Sequence, residues 1–243
     1  MFPEICTIGP FTVYSYGFML VIGFVVASWL ACQQAKRLGL NPDMIFNMLF
    51  IAFVSGVAGA RIFYVLDNFS YYAAHPAEII MLQRGGLAWF GGLLLGTLSA
   101  IVYIKVKGKS IYCTLDLIVP FVALAQAIGR IGCLLNGCCF GKHTDFGLYF
   151  PVHQAILIPT QLYSTLLLLV IYIVLRSLQD RPHRDGQVFY AYLLLYALKR
   201  FSVEFLRADS PVFLLGLTLF QLLSIAVFFV SAVGLIIIHK ARK

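Results

Sequence analysis

Residues 117–136 read Leu-Ile-Val-Pro-Phe-Val-Ala-Leu-Ala-Gln-Ala-Ile-Gly-Arg-Ile-Gly-Cys-Leu-Leu-Asn, and Gly137-Cys138-Cys139-Phe140-Gly141-Lys142 follow directly. As a helix, the first stretch is long enough to cross a hydrocarbon core of about 30 Å. It carries Arg130 into the membrane and, with its continuation, an amide and three thiols to the same end. An arginine at mid-bilayer costs roughly 2.5–3.5 kcal/mol on insertion scales, so it persists where an anion, a wet cavity or a polar partner compensates it.

Outward from this stretch the chain keeps the same character. It is 61% hydrophobic and 12% charged, with a mean hydropathy of +0.90, which excludes an ordinary soluble domain. Apolar runs near 16–35, 44–66, 86–106, 113–136, 160–179, 187–206 and 213–238 predict seven helical spans. Met1-Phe2-Pro3-Glu4 offers no basic leader and no cleavage site follows the first run, so that run is read as a retained span. No linker, low-complexity tract or repeat interrupts 1–243. The expectation is one all-α, polytopic integral membrane domain.

Charge orients it. Lys36 and Arg37, then Lys105, Lys107 and Lys109, then Arg176, Arg181 and Arg184, then Lys240, Arg242 and Lys243 follow alternate spans. Basic residues are retained on the cytoplasmic side, so the N-terminus is expected outside and the C-terminus inside. The other side holds Arg84, Lys142 and Arg207. The net charge of +8 is thus an orientation signal. Its dispersal over loops argues against nucleic acid as a partner.

Two long connections, 67–85 and 142–159, are rich in aromatic residues and suit either an interfacial position or a cap on the bundle. In Gly85-Gly86-Leu87-Ala88-Trp89-Phe90-Gly91-Gly92 the glycines read as close helix packing rather than as a nucleotide loop.

The polar residues inside the spans fall on faces. Gln126, Arg130, Cys133 and Gly137 are spaced by four, three and four, one side of a helix. Tyr192, Tyr196, Arg200, Glu204 and Arg207 form a second stripe, with Lys199 and Asp209 beside it. Pairing of Arg200 with Glu204 at i,i+4 is the structural reading. A net positive surface suited to phosphate is the functional one, since arginine forks match phosphate oxygens. Arg61, late in the second span, suits either a headgroup contact or a pairing with Asp67 or Glu204. Tyr14 and Tyr16 read most simply as interfacial anchors, and Asp116 as structural.

The six cysteines divide by expected side, with Cys32 and Cys113 inward and Cys6, Cys133, Cys138 and Cys139 outward, where disulfides survive. Small apolar packing is the plain reading of the last three. A soft-metal or redox role is disfavoured because Cys133 and Cys138 lie about 500° apart on a continuous helix and no CxxC motif is present. A disulfide from Cys6 to Cys138 or Cys139 is the remaining alternative.

Taken together the chain resembles the prolipoprotein diacylglyceryl transferase family over nearly its whole length. The likeness rests on Ile8-Gly9-Pro10 with Tyr16-Gly17, Ala60-Arg61-Ile62 with Tyr64-Val65-Leu66, and Gly85-Gly86 with Gly91-Gly92. It continues through Gly129-Arg130-Ile131-Gly132 with Asn136-Gly137 and Gly141, Pro159-Thr160-Gln161-Leu162-Tyr163, and Arg200 with Val203-Glu204-Phe205 and Arg207. The resemblance implies a bacterial inner-membrane enzyme that moves the diacylglyceryl group of phosphatidylglycerol to the lipobox cysteine of a preprolipoprotein signal peptide. It implies no cofactor and no metal. On this likeness Arg130 and Arg200 are the catalytic candidates, and Tyr16, Arg61, Asn136, Gly137, Gly141, Tyr196, Glu204 and Arg207 the substrate-binding ones. The sequence departs from the family pattern at Phe90, where a histidine is usual, at Cys133 and Cys138, which replace asparagine and glutamate, and at Leu157-Ile158, in place of Arg-His. The competing expectation is a divergent phospholipid-binding or transport paralogue without transfer.

Overall fold

The computed structural model describes residues 1–8, 11–81 and 85–240, with the side chains of Ile8 and Phe11 left aside. Gly9, Pro10, Arg84, Arg242 and Lys243, used above, lie outside the described residues. The chain is mostly helix: α1 (Ser15–Arg37), α2 (Pro42–Asp67), α3 (Phe69–Ala74), α4 (Trp89–Val106), α5 (Ile111–Asn136), α6 (Thr160–Gln179), α7 (Gln187–Glu204) and α8 (Leu219–Lys240). Short two-stranded sheets supplement them: β1 (Glu4–Ile8) with β2 (Phe11–Tyr14), and, antiparallel, β3 (His143–Phe150) with β4 (Ala155–Leu157) and β5 (Val212–Leu214) with β6 (Leu217–Thr218).

Among the described residues, six helices are long and apolar enough to cross a membrane: α1, α2, α4, α5, α6 and α8. The seventh predicted span, 187–206, is helical as α7 but falls outside that set, because its tyrosines, Lys199, Arg200 and Glu204 dilute its apolar face. It ends at Glu204, before Arg207. The predicted 213–238 span begins later, at Leu219, because Val212–Thr218 is spent on the β5–β6 hairpin.

The chain divides into two compact units. The first comprises Met1–Thr7, Val13–Ala27 and Leu115–Lys243, the second Ile8–Thr12 and Ser28–Thr114. In the first unit, Val119, Ala123 and Ala127 of α5 repeat at helical spacing and meet Leu168, Ile171 and Leu175 of α6 and Val188 and Tyr192 of α7. Small residues bring α1 against α5: a Cβ on Gly23 would lie 3.0 Å from the Ala125 carbonyl, and one on Gly132 only 2.9 Å from Met19 Cβ. Asp116, buried in α5, ties the bundle together polarly. Its carboxylate accepts the Gly186 and Phe189 N–H groups at 2.6 and 2.7 Å, satisfying donors that the start of α7 leaves without helical partners. Gln179 donates to the Asp116 and Leu117 carbonyls at 2.9 and 3.0 Å.

The second unit is built on α2 against α4. A Cβ on Gly59 would stand 2.5 Å from the Gly91 carbonyl, and Gly56, Gly92 and Gly96 also meet backbone across the pair. This is the close packing that lets two helices associate in lipid, where no hydrophobic force drives them together. Asn41 caps α2 by accepting the Asp43 and Met44 N–H groups, with Pro42 at the first helical position.

Candidate active site

Within the first unit, α5, the end of α7 and the segment following it gather four cations: Arg130, Lys199, Arg200 and Arg207 act electrostatically on one another. Glu204 and Asp209 supply two carboxylates. The basic side chains outnumber the two carboxylates.

Its members differ in how they are held. Glu204 is fully enclosed, with one oxygen 3.1 Å from Arg200 Nη2 and 3.8 Å from Arg207 Nε; the other accepts the Thr218 hydroxyl at 2.9 Å. Arg200 also lies over the Phe220 ring, 4.3 Å from its centre. Arg207, past the end of α7, forms a two-pronged contact with Asp209 at 2.9 and 2.6 Å, and its backbone bridges to Gly141. Lys199 is buried and stands over Tyr196, 5.2 Å from the ring centre. Arg130 alone of the four lacks a hydrogen bond, ion pair or ring contact among the described residues. A part-buried guanidinium left so by its own fold can receive an anion.

The other predicted residues fall around this cluster or away from it. Tyr16 of α1 lies within electrostatic reach of Arg130, Cys133, Cys138 and Cys139. Asn136 ends α5, two residues before Cys138. Gly137 adopts φ +75°, and a Cβ there would stand 3.3 Å from Met1 Sδ and from Val152. Gly141 is hemmed in by Ile158, the Leu206 carbonyl and Thr160 at 2.7–2.8 Å from a built Cβ. Both glycines therefore shape the loop that supports the cluster.

Arg61 belongs to the second unit. It is buried, and its five N–H groups are directed at five main-chain carbonyls: Ile79 at 2.8 Å, Gly85 at 2.6 Å, Gly86 at 3.0 Å, Glu78 at 2.6 Å and Met81 at 3.3 Å. Tyr64 and Tyr72 flank the guanidinium. Neither Asp67 nor Glu204, the carboxylates weighed from sequence, is among its partners. The arginine fastens the 78–81 and 85–86 main chain to α2, and no N–H group remains for a ligand.

Several residues went unsingled from sequence. Thr160 and Gln161, noted only within a motif, donate to the Cys139 and Cys138 carbonyls, both at 2.6 Å. His153 Nε2 lies 2.9 Å from the Gly137 carbonyl, and Thr218 completes Glu204. Polar residues at the first turn of α6 were the available signal for the first pair. All six cysteines are free thiols. The Cys139 thiol is held well below the usual cysteine range by hydrogen bonds from Cys133 and Cys138, and by Arg130 and Arg207, against the opposing effect of burial.

The family model described as prolipoprotein diacylglyceryl transferase matches residues 3–237. The chain belongs to the prolipoprotein diacylglyceryl transferase family. The phosphatidylglycerol--prolipoprotein diacylglyceryl transferases of Streptococcus pyogenes serotype M5 (strain Manfredo) and serotype M49 (strain NZ131) are each 34% identical to it over 245 residues, covering 97% of this chain and 93% of theirs. Family membership thus spans both compact units, and the cation cluster lies wholly within the matched region.

Proposed function

We propose that the chain transfers the diacylglyceryl group of phosphatidylglycerol to the thiol of a lipobox cysteine in a preprolipoprotein, releasing glycerol phosphate. The observation that carries this reading is Arg130, a guanidinium without a partner among the described residues, within electrostatic reach of Lys199 and Arg200. The names of the Streptococcus relatives supply the substrates.

In this reaction the acceptor sulfur forms a bond to the glyceryl carbon. The carbon–oxygen bond to phosphate breaks, the oxygen keeps the electron pair, and the thiol proton passes to the departing phosphate. Negative charge accumulates on the leaving group, so the gain comes from fixed cations aimed at it. Arg130 binds the phosphate directly. Arg200, oriented by Glu204 and Phe220, contributes a second fork from another helix, while Glu204 holds Arg200 and Arg207 in place. Tyr16, Tyr196 and Asn136 line the approach, and Gly137 and Gly141 set the loop that bounds it. For Arg61 the role is to hold the main chain at 78–81 and 85–86 in order. Acidic lipid and a signal peptide are the partners in the inner membrane, with no part for nucleic acid, and the whole of 1–243 acts as one transferase with its N-terminus outside.

The test is reconstitution of the full chain in vesicles containing phosphatidylglycerol, with a synthetic lipobox peptide, read by mass spectrometry. A peptide heavier by one diacylglyceryl group, with matching release of glycerol phosphate, supports transfer. Phosphatidylglycerol binding without product would assign the chain to lipid binding instead.

A further inference from the structure

Cys133, Cys138 and Cys139 take no part in the phosphate chemistry, yet their sulfur atoms all lie within 4.8 Å of one another. The spacing along a continuous helix opposes this, but the helix does not continue. α5 stops at Asn136, and Gly137 turns the chain at φ +75°. Gly137 N–H bonds the Leu134 carbonyl and Cys138 N–H the Cys133 carbonyl, both at 3.1 Å. These are the paired 5→2 and 6→1 bonds of a Schellman ending, which lays the second residue beyond the helix back over its last turn. Cys138 is thereby returned to Cys133, with Sγ 3.7 Å from the Cys133 carbonyl. Cys139 follows at φ +62°, a conformation uncommon for a residue with a side chain.

That backbone is pinned from outside the thiols. Gln161 and Thr160 hold the Cys138 and Cys139 carbonyls, Gly141 N–H donates to the Ile158 carbonyl, and Lys142 N–H to that of Leu206, both at 2.9 Å. The three sulfurs are therefore brought together by hydrogen bonds that do not depend on them. Apolar packing by cysteine requires neither three mutually adjacent thiols nor an unfavourable φ at one of them.

We propose that Cys133, Cys138 and Cys139 form a binding site for one thiophilic d10 metal ion of the zinc class, held by three thiolates with a fourth position open. Sulfurs bound at about 2.3 Å around a tetrahedral zinc stand roughly 3.8 Å apart, so the observed cluster needs only a small contraction. Soft ligands without oxygen donors select against hard cations. Three thiolates and a divalent ion leave one negative charge, which Arg130 and Arg207, both acting on Cys139, offset. Any of the three sulfurs still protonated yields its proton to solvent on binding. The proposal is independent of the transfer reading, because metal content and lipid transfer are measured separately.

The experiment uses the full chain in detergent, reduced with a phosphine, stripped of metal and titrated with zinc or cadmium. One ion per chain is expected, with cadmium–thiolate charge-transfer absorption. Cys133→Ser, Cys138→Ser and Cys139→Ser should each weaken binding more than about 100-fold, beyond what loss of an outer-shell contact costs, while Cys6→Ser, Cys32→Ser and Cys113→Ser leave it unchanged. X-ray absorption on the zinc-loaded, unsubstituted protein counts the sulfur neighbours without reliance on any variant's folding. Three sulfurs would support the site. Failure to bind near one equivalent, or a shell of nitrogen and oxygen alone, would overturn it.

Discussion

Arg200 and Glu204 form an ion pair, 3.1 Å between Nη2 and Oε2, around a carboxylate with no solvent exposure. The pair explains how an arginine at the end of α7 is kept in one orientation. It also separates Arg200 from Arg130, which has no partner among the described residues to lose. The same substitution at the two positions should have different consequences for the fold.

Arg130→Ala is expected to abolish detectable lipid transfer, a loss of at least about 10²–10³-fold, the scale for removing one donor to developing charge. Its thermal unfolding and detergent elution should match the parent. Vesicle transfer assays beside a melting curve check both. Transfer within threefold of the parent would make Arg130 a structural residue.

Arg200→Ala should lose transfer to a similar extent and lose stability as well, by up to about 3 kcal/mol, because Glu204 keeps a buried charge with Arg207 as its weaker partner. Adding Glu204→Gln should restore much of the stability and none of the transfer. Melting temperature and product yield, measured for the single and double variants, separate the two effects.

Arg61→Lys is predicted to loosen the segment carrying the 78–81 and 85–86 carbonyls. A lysine has three donors and no planar fork, so several of the five carbonyls lose their partner. Hydrogen exchange there should accelerate in Arg61→Lys, while exchange in α5 to α8 stays near the parent. Unchanged exchange at 78–81 would remove this anchoring role.

Gly141→Ala should be more damaging than Gly137→Ala. At Gly141 a methyl meets the Leu206 carbonyl and Ile158 at 2.7 Å, an overpacking worth about 1–3 kcal/mol. At Gly137 the neighbours stand at 3.3 Å and the cost is chiefly the positive φ, about 1 kcal/mol. Denaturation in detergent should rank them in that order, and both should reduce transfer by disturbing the 137–142 loop.

The sequence by itself determined the helices, their apolar faces and the two polar stripes that meet in the cluster. These are properties of local periodicity, and Gln126, Arg130 and Cys133, or Tyr196, Arg200 and Glu204, share a face wherever the helix packs. Family blocks such as Gly129-Arg130-Ile131-Gly132 were equally local. Only the tertiary structure decided the fate of Arg61, because its partners are main-chain carbonyls, which every residue type carries and no pattern marks. It alone put Arg207 into a fork with Asp209. The three thiols show the same limit most sharply: helical spacing separates Cys133 from Cys138, and a single left-handed glycine after Asn136 reverses the chain and brings them together.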